Sequence, residues 1–198
     1  MDPIDFFFDF VSPYSYLAHS QLGTLDVPVR LAPIAVLELM KLVGNTPTTI
    51  TCSVKRAYAG KDLARWSARY GVPVTATDMK RLDSALLLRV ATAAKPGAEQ
   101  AAVVDAIFKG VWGAEGDPSP EGLEALLAAR GLPAADLIVA AGQPAVAEAL
   151  AAETKAAAEL GVFGTPTIKV AGELFFGNDR LDFVREAIAK ARAPEAVA

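Results

Sequence analysis

An apolar run that stops at a Ser-Pro pair constrains this chain more than any other feature. Residues Ile4–Val11 are aliphatic or aromatic apart from Asp5 and Asp9, a composition that suits a buried strand. Ser12-Pro13 ends the run, and Tyr16, Leu17, Ser20 and Gln21 then carry a helical pattern that Leu22 closes. Serine is a good N-cap, and proline has no N–H to leave unpaired at the first helical position. The pair predicts a strand handing over to a helix at Ser12, which faces unpaired amides and the positive end of the dipole. Such a place binds anions and stabilises a thiolate. Taken alone, the pair also reads as the start of an ordinary helix.

Two further features point past that reading. Ser12-Pro13-Tyr14-Ser15 has the shape of a Cys-x-x-Cys turn with both sulfurs replaced by hydroxyls. Far downstream, Phe163-Gly-Thr-Pro-Thr-Ile-Lys-Val170 supplies a Thr-Pro pair opening a strand. In the thioredoxin arrangement that proline is cis and lies against the first helix's N-terminus. Cys52 is the only cysteine, so an internal disulfide and exchange through an internal dithiol are both excluded. Cys52 itself reads as a spare, partly buried thiol rather than a nucleophile.

Val27–Pro33 reads as a second strand, parallel to the first through a right-handed crossover. Helical patterns follow over residues 35–43, 54–70, 83–94, 98–112, 120–129, 134–141 and 145–160. Ser53 reads as a cap, Gly71-Val-Pro73 as a stop and Ser119-Pro120 as a start. Thr167–Val170 and Glu173–Phe176, joined by Ala171-Gly172, predict a hairpin. Asp179 opens a last helix over Leu181–Arg192, before a frayed Ala193–Ala198. The order predicts an α/β, thioredoxin-like fold (β-α-β, then β-β-α) with a large all-helical insertion. Residues 1–34 and 161–198 form the thioredoxin-like domain, and residues 35–160 the insertion roofing the active-site end.

Several function classes are set aside. A net charge of −4 with interspersed signs offers no basic stripe for nucleic acid. No run of 18 apolar residues suits a membrane, and no charged stretch precedes a signal-like apolar run, so cytoplasm is the default. His19, the one histidine, lies where neither Ser12 nor Ser20 can complete a Ser-His-Asp triad. No spacing suggests a metal site, and no glycine-rich loop matches a nucleotide fingerprint.

Four motifs in order, spanning about residues 4 to 190, carry a more specific likeness. Asp9-Phe-Val-Ser-Pro-Tyr-Ser-Tyr-Leu-Ala18, Gly44-Asn45-x-Pro47, Gly161-Val-Phe-Gly-Thr-Pro-Thr167 and Phe176-Gly-Asn-Asp-Arg-Leu181 resemble the 2-hydroxychromene-2-carboxylate isomerase family. These proteins are relatives of the kappa-class glutathione transferases and, more distantly, of DsbA-type oxidoreductases. The resemblance implies glutathione as cofactor, its thiol the nucleophile, and a small aromatic substrate in a homodimeric, cytoplasmic enzyme. It implies that thiolate adds to a ring-opened keto acid, rotation follows, and elimination restores glutathione.

Ser12 is then the candidate catalytic residue, donating its hydroxyl to the thiolate; Tyr14 and Tyr16 read as packing residues. Thr165, before a cis Pro166, would pair with the cysteinyl backbone. Asn178 would face the γ-glutamyl carboxylate and Asp179 its ammonium, although Asp179 also suits a plain helix cap. Asn45, and Lys55 three residues before Tyr58, match positions at the glycyl end. The chain departs from the family pattern at Pro47-Thr-Thr49, which bears on the loop carrying Asn45. A kappa-like transferase or peroxidase, and a non-catalytic glutathione- or peptide-binding module, are the rival readings.

Overall fold

The computed structural model of the chain describes residues 2–75 and 78–193; most of the tail predicted to fray, residues 194–198, lies outside them. Its centre is a four-stranded sheet in the order β2-β1-β3-β4. β1 (Ile4–Phe8) runs parallel to β2 (Val29–Pro33) and antiparallel to β3 (Thr167–Val170), which forms a hairpin with β4 (Glu173–Phe176). The sheet is covered on both faces, which explains the unbroken apolar run of β1. Ile4, Phe6 and Phe8 enter the larger core, while Phe7 on the opposite face packs with Ala32, Ile34, Leu39, Ala157 and Val162. Asp5 is tolerated because its cross-strand neighbours are Arg30 and Lys169. Burial pushes its carboxyl up, but hydrogen bonds from these two cations prevail and hold it below the ordinary value.

β1 ends at Phe8 rather than at Val11 as the run suggested. The last ladder bond joins Ile34 N to Phe8 O, and Ser12 N closes a turn onto Asp9 O at 3.1 Å. The turn delivers the chain into α1 (Pro13–His19), capped by Ser12 with proline at the start as expected. β2 likewise begins at Val29, not Val27.

Between β2 and β3 the described residues form helices joined by loops: α2 (Val36–Leu42), α3 (Thr48–Thr51), α4 (Ser53–Tyr70), α5 (Ser84–Ala93), α6 (Ala98–Trp112), α7 (Leu123–Ala128), α8 (Ala134–Ala141) and α9 (Pro144–Glu159); α10 (Leu181–Arg192) closes the fold. Three starts differ from expectation. Ser53 is a helical residue, and Cys52 takes the N-cap position without a side-chain bond. A turn closed by Gly122 N onto Ser119 O at 3.0 Å precedes α7, so it starts at Leu123 rather than Pro120. Asp179 lies in a 3-10 turn (Asn178–Arg180), and α10 begins after it with no side-chain cap. Among the described residues no single helix is long and apolar enough to cross a membrane.

Helices α1, α5, α6, α7, α8 and α10 share the larger core with the sheet, while Leu39 of α2 packs on the other face. Phe108 of α6 packs on Phe8 at 5.4 Å and Phe10 at 4.8 Å between ring centroids. Trp112 Nε1 donates to Phe10 O at 2.8 Å. These contacts fasten the turn leading to Ser12 onto the longest buried helix face of the fold, which positions the site.

Candidate active site

Ser12 and the Thr165–Pro166 pair, far apart in sequence, meet in the fold. The Ser12 hydroxyl accepts from Ser15 N at 3.2 Å and donates to Thr165 O at 3.3 Å. The first bond is the cap that the sequence predicts; the second is long for an O–H donor and easily redirected. The Thr165–Pro166 bond is cis, as the motif led us to expect. Gly177 N donates to Pro166 O at 2.9 Å, bringing the turn after β4 beside it. Gly177 has φ +106°, and a Cβ there would lie 2.5 Å from Asp179 Oδ1, so only glycine suits this position.

Asn178 follows and is buried; its carbonyl accepts from Tyr70 Oη at 2.8 Å. Asp179 does not cap α10, the plain alternative for this residue: it is exposed and pairs with Arg180 at 2.5 Å. Asn45 reaches the same region indirectly, donating through Nδ2 to Phe163 O at 2.8 Å while Oδ1 accepts from Thr46 N. Lys55 lies on exposed α4 with its ammonium donating to Thr48 Oγ1 at 3.1 Å, and no other candidate residue touches it.

Thr165 Oγ1, Asn178 Nδ2 and Ser15 Oγ are buried without hydrogen-bond partners among the described residues. A buried polar group left unpaired costs about 1–3 kcal/mol. Three such groups gathered around Ser12 and Pro166 fit a peptide-like ligand carrying its own donors and acceptors.

Two residues escaped the sequence reading. Tyr14 is not simply a packing residue: its hydroxyl donates to Asp62 Oδ2 at 3.0 Å, joining α1 to α4. Burial and that carboxylate raise its pKa. Tyr16, by contrast, is core. Asp9 is the second, and its signal was the lone carboxylate at the end of an apolar run. It is buried, with Oδ1 accepting from Val11 N at 3.1 Å and Oδ2 from Val36 N at 2.9 Å, so it ties the Ser12 turn to the start of α2.

Burial raises the Asp9 pKa to about 6 against these bonds. A raised folded pKa means that its stabilisation is complete below the unfolded value, near 4, and is lost as pH rises through about 6. Two units correspond to about 3 kcal/mol. Urea melts of the wild type and Asp9→Asn at pH 4 and pH 6.5 are expected to show the wild type losing more stability over that interval. Parallel curves would mean that Asp9 does not titrate there.

His19 closes α1 at the far end, about 10 Å from Ser12 by helix rise. Its Nε2 is 3.6 Å from Asp105 Oδ1, and its ring packs on Phe108. The His19–Asp105 pair lowers the Asp105 pKa to about 2, yet no serine bonds to the imidazole. Cys52 is half-buried at the head of α4.

This geometry has known counterparts. The family model of the DSBA-like thioredoxin domain matches residues 3–189. The chain is 32% identical over 196 residues to a 2-hydroxychromene-2-carboxylate isomerase of Pseudomonas putida, covering 94% of each. A solved 2-hydroxychromene-2-carboxylate isomerase superposes with a TM-score of 0.88 at 31% identity, over 96% of both chains. A probable DsbA oxidoreductase of Streptomyces coelicolor shares the fold at a TM-score of 0.69 and 19% identity, over 99% of this chain and 93% of that one.

Proposed function

The chain belongs to the DSBA-like thioredoxin-domain family and, within it, to the 2-hydroxychromene-2-carboxylate isomerases, and from this premise we propose a glutathione-dependent cis–trans isomerase. It converts 2-hydroxychromene-2-carboxylate, or a close aromatic analogue, to trans-o-hydroxybenzylidenepyruvate. The observation that carries the reading is the Ser12 hydroxyl at the start of α1, held beside the cis Pro166 loop in a chain with one cysteine. When bound, glutathione supplies a nucleophilic thiol for reversible addition to a conjugated double bond, a group this chain lacks beside Ser12.

The protein's residues hold and orient. Ser12 turns its proton from the long bond to Thr165 O toward anionic sulfur, a stronger, charge-assisted partner. The backbone of Thr165 pairs with the cysteinyl unit as an added strand would. Asn178 serves the γ-glutamyl carboxylate, and Asp179 leaves its exposed pair with Arg180 for the ammonium. Asn45 and Lys55 serve the glycyl end. The half-covered face of α4, carrying Trp66 and Tyr70 with ring centroids 5.2 Å apart, walls the aromatic substrate from water. The enzyme acts as a cytoplasmic homodimer.

Incubation with glutathione and 2-hydroxychromene-2-carboxylate tests this reading. Isomerisation with glutathione unconsumed supports it. Net conjugation would replace it with a transferase, and binding without turnover with a binding module.

Asp179→Asn keeps the size of the side chain but removes the charge. Calorimetry is expected to show glutathione bound about tenfold more weakly, about 1.4 kcal/mol. Cysteine and β-mercaptoethanol, which lack the γ-glutamyl arm, should bind poorly to both proteins. Equal affinity for all ligands would make the Gly177–Arg180 turn purely structural.

A further inference from the structure

Tyr58, Asp62, Arg65 and Arg69 recur along α4 at spacings of three, four and seven and so share one edge of the helix. That edge stands over the start of α1, because the Tyr14 hydroxyl donates to Asp62. Tyr58 and Asp179 are close enough to act electrostatically on the same phenol. In a chain of net charge −4, the edge is locally basic: Lys55, Arg65 and Arg69 outnumber Asp62.

Arg65 has little structural work there. Its guanidinium lies over the Tyr58 ring, 5.9 Å from the centroid, and its ion pair with Asp62 spans 4.0 Å. Asp62 already accepts from Tyr14, and Arg65 is 64% exposed, so this long pair contributes little. Among the described residues its N–H donors make no hydrogen bond. Arg69 differs, since it lies in the last turn of α4, where a cation complements the helix dipole. Arg65 is mid-helix and has no such reason. A guanidinium stacked on an aromatic face is a planar fork set for bidentate carboxylate recognition, and Tyr58 is itself 61% exposed.

We propose that Arg65, whose guanidinium lies over Tyr58, binds the carboxylate of the aromatic acid substrate and sets the enzyme's preference for acids that carry an aromatic ring. Tyr58 contributes a surface for the substrate's ring plane. The inference rests on the reading of the substrate as an aromatic acid. A carboxylate is also present on glutathione, so the test separates the two sources.

Titration of the purified protein with 2-naphthoate and with 2-naphthamide, each with and without glutathione, reads the site without turnover. The wild type is expected to bind the acid about tenfold more tightly than the amide. Arg65→Gln should abolish that preference, Arg65→Lys should restore part of it, and glutathione affinity should stay within about twofold throughout. Circular dichroism should report unchanged helix content. Three results would overturn the proposal: no acid preference in the wild type, a preference that survives Arg65→Gln, or a fall in glutathione affinity with the preference intact. The last would assign Arg65 to glutathione. An Arg65-dependent acid preference in a protein that fails to isomerise would refute the isomerase reading and leave this site standing.

Discussion

Ser12→Ala is expected to fold and to lose turnover by about two orders of magnitude. Removing one preorganised donor from a developing or bound anion costs about 3 kcal/mol in comparable sites. Stability should fall by only about 1 kcal/mol, because the same oxygen caps α1 through Ser15 N. The two effects therefore separate in one variant. Its pH optimum should also move upward, since a thiol without its donor drifts back toward a pKa of about 8.5. The rate is to be measured across pH together with the urea midpoint. A wild-type rate and profile with a lowered midpoint would show that Ser12 is a helix cap and nothing more.

Phe108→Ala is expected to cost about 4 kcal/mol in stability. Phe108 is fully buried and makes ring contacts with Phe8, Phe10, Tyr16 and His19. It thereby joins α6 to β1, to the turn before Ser12 and to α1. Truncation leaves a cavity that fixed aromatic neighbours cannot fill. Phe108→Leu keeps much of the volume and should cost less than about half as much. Denaturant melts of both variants test this, and similar small losses in the two would mean that the core collapses freely around the site.

The order of elements was legible because each carries a local signal. The apolar run of β1, the Ser12-Pro13 cap and the two-residue Ala171-Gly172 connection of the β3–β4 hairpin follow from composition and turn chemistry. The meeting of Ser12 with Thr165, 153 residues apart, became readable only through the likeness of the two halves to a thioredoxin pair. Boundaries slipped where side chains or turns compete with regular structure. Asp9 ends β1 early by drawing Val11 N and Val36 N to its carboxylate. The turn at Ser119 delays α7.

Tyr14–Asp62 was out of reach for another reason. Periodicity shows that Asp62 shares an edge of α4 with Tyr58, but not which helix that edge meets. An Asp before a helix is also an ordinary cap signal, but here the 3-10 turn lets Asp179 turn outward to Arg180.

Titrating the thiol of glutathione bound at Ser12 tests the proposed role of that hydroxyl most directly. Ultraviolet absorbance of thiolate, followed against pH for glutathione bound to the wild type and to Ser12→Ala, reads its ionisation without any turnover. The wild-type complex should ionise at least about one unit below the ordinary thiol value near 8.5, with Ser12→Ala restoring most of that shift. Glutathione that binds the wild type yet titrates as it does in free solution would contradict the account.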